Sequence, residues 1–244
     1  MSYGFYLYGI FPSPGPQNLG LQGLDKEPVQ TYTIDTFIFL YSEAQQERYL
    51  ASRKNLIGHA RVLEEAMAAG YRTLLPLPLN RLIFQSWDDI KAQFITPHSE
   101  TLVTLFQNLE GKREVGLKIY WEEAQELEWL MGENEPLRSQ RDQLEGRQLS
   151  MDQVIQIGQA IESALSDRQD TIIQVFRDTL TPLATATVEN DLQTESMIYN
   201  GAYLINWDEE PAFSQAVEAL DHRFENRLRL RYTNFTAPYN FAQL

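Results

Sequence analysis

The chain has 244 residues, 43% hydrophobic and 11% aromatic, a globular composition with apolar material for one or two domains. A formal net charge of -14 and a pI near 4.6 argue against a nucleic-acid partner, which needs clustered Lys and Arg to displace counterions. The absence of cysteine excludes disulfides, thiolate catalysis and Cys-ligated metals, and no apolar run approaches the length of a membrane span.

The first ten residues lack a basic start and a small-residue cleavage site. They read as a strand rather than a signal peptide, and the expected compartment is the cytoplasm. A loop rich in Gly and Pro follows over residues 13–30. Residues 31–41, β-branched and aromatic, predict one strand. Ser42 with Gln45 fits a capping box, and Leu56, His59, Leu63 and Met67 share a helix face that ends at Gly70. Residues 72–79 read as a short edge strand because of Pro76 and Pro78. A helical stretch over 86–94 precedes a helix starting at Thr96-Pro97, buried through Leu102, Leu105, Phe106 and Leu109 and ended by Gly111.

From Glu114 the alternation of Val115, Leu117, Ile119 and Trp121 predicts a strand with one buried face. The acidic residues 122–148, with Gly132, Pro136 and Gly146, read as a short helix and an exposed excursion. Ser150 with Gln153 is a second capping box, opening a helix through Val154, Ile157, Ile161, Leu165, Ile172 and Phe176 that stops before Pro182. Strands are expected at 183–188 and 197–207, then a helix capped by Asp208 and a last strand at 227–232. The order after residue 112 is strand, helix, strand, strand, helix, strand. The expected fold class is therefore α+β, with a mixed domain over 1–111, a ferredoxin-like β-α-β-β-α-β domain over 112–233 and an aromatic tail over 234–244.

Candidate chemistry is sparse. His59 lies on an apolar helix face and reads as a hydrogen-bonded structural histidine one helical turn after Asn55. His98 and His222 fall at helix ends. The carboxylate runs at Asp88-Asp89, Glu122-Glu123 and 208–210 read as helix starts or solvated faces. No nucleophile elbow, phosphate loop or metal pattern is present, so no catalytic site, metal or cofactor is expected. Arg227, Arg229 and Arg231 alternate with Leu228, Leu230 and Tyr232, predicting a basic stripe on an open sheet face, joined by Lys118. Its anionic neighbour is either the acidic segment 122–135 or a partner. The tail carries three aromatics, Pro238 and no charge. It is expected to dock through Pro238, Tyr239 and Phe241 on its own chain, across the domain junction, or else on a partner.

Four segments in this order resemble the gas vesicle protein F/L family: Asn55-Leu-Ile-Gly-His59 with Leu63; Leu74-Leu-Pro-Leu77; Leu109-Glu-Gly-Lys-Arg-Glu-Val-Gly-Leu-Lys-Ile-Tyr-Trp121; and Ala237-Pro-Tyr-Asn-Phe241. The third is the most specific and contains Glu110, Gly111 and Lys118. The chain departs from the family at Pro78-Leu-Asn-Arg81 and in keeping only Pro238, Tyr239 and Phe241 of the usual tail, features that favour the F-type branch. The resemblance implies a non-enzymatic minor gas vesicle component. It would bind the hydrophobic shell protein and other accessory proteins, assist nucleation and assembly, and be soluble in the cytoplasm before joining the vesicle. Self-association is left open. The alternative class is an effector-binding or dimerising regulatory module built on the ferredoxin-like domain; an unknown carboxylate enzyme is the third.

Overall fold

The computed structural model describes residues 3–17, 19–79, 83–142, 150–224 and 227–243. It is a mixed α and β protein with two four-stranded antiparallel sheets. The chain divides into two units. The first is Met1–Val115 with Leu204–Asp208 and Asn234–Leu244; the second is Gly116–Tyr203 with Glu209–Thr233.

The first sheet has the order β2-β3-β1-β4, with β1 at Phe5–Pro12, β2 at Gln30–Ile34, β3 at Phe37–Glu43 and β4 at Leu75–Pro76. The stretch predicted as one strand over 31–41 is a hairpin. Ile34 pairs with Phe37, and Asp35 takes a positive φ of 55° in the two-residue loop, a conformation that Asp tolerates better than most residues. Apolar residues cover both faces of β1 and β3. Tyr6, Tyr8, Ile38 and Leu40 join one core, with Val62, Leu63 and Met67 of α1 (Arg53–Ala68). Leu7, Ile10, Phe37 and Phe39 join the other, with Phe94, Leu102 and Phe106. A bulge between Leu7 and Gly9 shifts the β1 register, so Phe11 returns to the α1 side out of phase with Tyr6 and Tyr8.

The expected helix start at Ser42 is wrong by ten residues. Pairing with β1 keeps Ser42 in β3, where its hydroxyl meets the Tyr8 hydroxyl at 3.0 Å. Ser52 caps α1 instead, accepting from the Asn55 N–H at 3.2 Å. Of residues 72–79 only Leu75–Pro76 forms a strand; the Leu77 N–H still donates to the Tyr8 carbonyl at 2.9 Å, and Pro78, with no N–H to donate, does not extend the ladder. The two expected helices before Gly111 form one continuous stretch. Trp87–Ile90 (α2) passes through a π turn at Lys91–Ile95 into Thr96–Leu109 (α3), so Pro97 sits just after a widened turn rather than after a break.

The second sheet has the order β6-β7-β5-β8, with β5 at Lys112–Trp121, β6 at Ala186–Glu189, β7 at Met197–Asn206 and β8 at Leu228–Thr236. The acidic segment folds as two helices, α4 (Glu123–Glu133) and α5 (Glu135–Asp142); Gly146 lies outside the described residues. The Ser150–Gln153 capping box opens α6 (Met151–Leu180), with both reciprocal bonds present. Ile172, Ile173, Phe176 and Leu180 are buried in its second half. Earlier on it, Ile161 and Leu165 pack on Leu130, Met131 and Leu137, while Val154 is exposed. The last helix, α7 (Glu210–Arg223), follows a 3-10 turn at Trp207–Glu209, and Glu209 rather than Asp208 is its cap residue. Strand β8 continues past Tyr232 to Thr236.

Candidate tail-docking site

The helix α3 ends in Glu110 and Gly111. Gly111 has a φ of +69°, which lets the chain turn directly into β5, and its carbonyl accepts the Trp207 N–H at 2.8 Å. Two side chains early in β5 reach the tail. The buried Arg113 lies 4.5 Å from the Trp207 ring centroid and 5.7 Å from that of Phe235, and a guanidinium N–H donates to the Asn234 carbonyl. Glu114 is only 4% exposed. Its carboxylate accepts the backbone N–H of Asn240 at 2.8 Å and the side-chain Nδ2 at 2.7 Å. Burial pushes the Glu114 carboxyl up to about 7, against the downward pull of the two Asn240 bonds.

The tail packs into the first unit beyond this pair. Ala237 is buried in the core shared with α1, and Ala242 in the core on the opposite face of the sheet, with Phe241 half-buried beside it. Pro238 is buried and its carbonyl accepts the Phe241 N–H at 3.2 Å, closing a turn that presents Asn240 to Glu114. The Tyr239 ring centroid lies 6.5 Å from that of His59.

His59 is 3% exposed and sits among the rings of Tyr6 and Tyr8. The Tyr6 hydroxyl lies 2.6 Å from His59 Nδ1; Tyr6 donates if the imidazole carries its proton on Nε2. Burial lowers the imidazole to about 4, so it is neutral at ordinary pH; the Leu77 backbone opposes the shift. Asn55 is not its partner. Asn55 Nδ2 donates to the Leu50 carbonyl at 3.0 Å and ties down the start of α1. Leu63 is fully buried on the same helix. Residues of all four family-like segments thus meet in one place: His59 and Leu63, the Leu77 backbone, Glu114, and Asn240. Asn80, Arg81 and Leu244 lie outside the described residues.

The arginine stripe belongs to the second unit. Arg227 turns onto Glu126 of α4 in a two-pronged contact, Nε to Oε1 at 2.8 Å and Nη2 to Oε2 at 2.7 Å. Arg168 of α6 reaches the same carboxylate at 2.6 Å and Glu133 at 2.8 Å. Burial works to raise Glu126, but the hydrogen bonds from Arg227 and Arg168 outweigh it and hold this carboxyl below its usual range. Arg229 and Arg231 are exposed, 4.5 and 5.7 Å from the Tyr120 ring centroid, and Lys118 Nζ donates to Gln193 Oε1 at 2.9 Å. The acidic segment therefore reaches the first arginine. Leu228, Leu230 and Tyr232 are half-buried, and Tyr232 stacks on Phe213 at 6.0 Å.

Among the described residues, no helix is long and apolar enough to cross a membrane, and no group of three or more His, Asp or Glu is placed to hold a metal ion.

A family profile described as "Gas vesicle synthesis protein GvpL/GvpF" matches residues 4–243. The chain belongs to the GvpL/GvpF family. It is 55% identical over 244 residues to gas vesicle protein F of Nostoc sp. (strain PCC 7120), covering 100% of both chains. It is 53% identical to gas vesicle protein F of Dolichospermum flosaquae, covering 100% of this chain and 99% of that one. The crystal structure of GvpF from Anabaena sp. PCC7120 superposes with a TM-score of 0.86 at 51% identity, covering 99% of this chain and 96% of that chain. The crystal structure of GvpF from Microcystis aeruginosa gives 0.85 at 51% identity, covering 99% of both. These relatives place the protein in a gas vesicle context.

In the sequence, Glu114 and Asn240 fall in separate motifs with nothing that joins them. The available signal was an acidic residue out of phase with the buried Val115 and Leu117, and an uncharged tail that offers an amide.

Proposed function

We propose that the protein is a non-enzymatic accessory component of gas vesicles that binds the hydrophobic shell protein and assists nucleation and assembly of the shell. The observation that carries this reading is the chain-long likeness to proteins named gas vesicle protein F. The description of the family as synthesis proteins supports assembly rather than metabolism. The net charge of -14 supports a carrier that is soluble in the cytoplasm and keeps an insoluble subunit dispersed, then accompanies it to the vesicle with other accessory proteins. The strand order β6-β7-β5-β8, with helices after β5 and β7, supports a ferredoxin-like plan for residues 112–233, beside an N-terminal domain over 1–111 and a tail over 234–244.

The tail is a latch in this reading. Its uncharged turn is stapled by Glu114, and its release uncovers apolar surface around Ala237 and Ala242 for the shell protein. A pull-down of purified shell protein tests both ideas. The full chain is expected to retain shell protein and suppress its light scattering; failure to retain it overturns the reading. Asn240→Ala is expected to lower thermal stability while keeping or increasing retention, and truncation after Thr236 to do so more strongly. Unchanged stability with lost retention would make the tail a contact element instead of a latch.

A further inference from the structure

We propose that the outer edge of β8 docks an extended acidic segment of a protein partner, held by backbone pairing to the strand and by Arg229 and Arg231. This goes beyond the shell-binding reading, whose partner is apolar, and it stands or falls separately.

Three observations support it. Strand β8 is the last strand in the order β6-β7-β5-β8, so among the described residues one of its edges has no neighbouring strand. Such an edge offers a row of N–H and C=O groups to an incoming strand. Arg229 and Arg231 are exposed on one face of that strand, and both guanidiniums lie over the same ring, Tyr120. Two like charges held two residues apart repel each other, and an anion between them relieves the repulsion. The third observation is what surrounds them. The chain carries 34 acidic residues against 20 basic ones. Arg168, Arg177 and Arg227, in the same unit, each hold a carboxylate, whereas Arg229 and Arg231 hold none among the described residues. Among the described residues, therefore, no carboxylate neutralises the two edge arginines.

The same charges select the occupant. A second copy of β8 would set arginine against arginine, and like charges directly opposite each other destabilise a strand pair. A strand with Glu or Asp at alternate positions sets carboxylates on the guanidiniums while its backbone completes the ladder.

The probe is a fluorescein-labelled octapeptide alternating Glu and Val, titrated into the full chain at low and high salt, with hydrogen–deuterium exchange measured over residues 228–233. Saturable binding that weakens with salt is expected, together with slowed exchange in that strand. Arg229→Glu with Arg231→Glu is expected to weaken binding about tenfold or more. Arg48→Glu with Arg53→Glu makes the same change in net charge on exposed residues of the first unit and is expected to leave binding unchanged. No binding overturns the proposal. Equal loss in both double variants overturns it in favour of a net-charge effect. Binding without slowed exchange overturns strand docking and leaves only an anion-attracting patch. All of these surface substitutions leave the two cores untouched, and circular dichroism confirms folding before the titration.

Discussion

Two buried ionisable residues flank the tail and shift in opposite senses. His59 stays neutral when folded down to about 4, while the unfolded imidazole takes its proton near 6.5. Its contribution to stability is intact above 6.5 and is lost as pH falls toward 4, by about 3 kcal/mol at most. Glu114 is protonated when folded below about 7, against 4.5 when unfolded. Its contribution is complete below 4.5 and is lost as pH rises toward 7, by a similar amount of about 3 kcal/mol. The two slopes oppose each other between 4.5 and 6.5. Urea denaturation as a function of pH separates them. Relative to wild type, Glu114→Gln is expected to lose stability as pH falls from 7 toward 4.5, and His59→Gln to gain it as pH falls from 6.5 toward 4. Parallel curves for wild type and Glu114→Gln would mean that this carboxyl does not titrate across that range in the folded protein.

At the scale of elements, β1 shows how one residue sets the use of both sheet faces. The bulge at Tyr8 and Gly9 places Tyr6, Tyr8 and Phe11 on the α1 side, and at Gly9 the backbone is closely approached by its surroundings. A Cβ added there would stand 2.9 Å from Leu63 Cδ2 and 3.0 Å from the Leu75 carbonyl. Leu63 can shift by a few tenths of an ångström; the β4 backbone, paired with Gly9 and Ile10, has less freedom. Gly9→Ala is expected to cost about 1–3 kcal/mol by overpacking. A melting temperature equal to wild type would show that the β1–β4 contact is softer than its geometry indicates. The tail follows the same logic in reverse. It is short and irregular, yet its alanines are buried because small side chains fit where cores are already filled on both faces of the sheet.

At the scale of the molecule, polar contacts join segments far apart in the chain, and in the second unit Glu126 gathers two of them. It is 1% exposed and accepts from Arg168 and Arg227, 42 and 101 residues away in the chain. Glu126→Ala leaves two guanidiniums facing each other without their shared carboxylate, and a loss of about 3–5 kcal/mol is expected from equilibrium unfolding. Because this carboxyl is held below its usual range, its contribution is present above 4.5 and declines as pH falls below that value. A loss under 1 kcal/mol, roughly the value of an exposed pair, would show that water reaches the site.

Much was legible from residues 112–233 and from the family-like segments. The alternation in β5, the Ser150–Gln153 box and the helix faces at Ile172 and Phe176 are local, periodic signals, and periodicity survives folding because burial of one face is what creates it. The misreadings fell where two local signals competed. Ser42 with Gln45 read as a cap, but pairing between β3 and β1 holds Ser42 in the strand, and Ser52 caps α1. Residues 31–41 looked like one strand because Asp35, the residue that turns the chain, is flanked by strand formers. The sequence by itself determined the composition class, the family and most of the elements. Only the tertiary structure decided which segments meet. Glu114 and Asn240 are 126 residues apart, and the staple between them exists because β5 and the tail are packed into the same unit, a contact to which no sequence period corresponds.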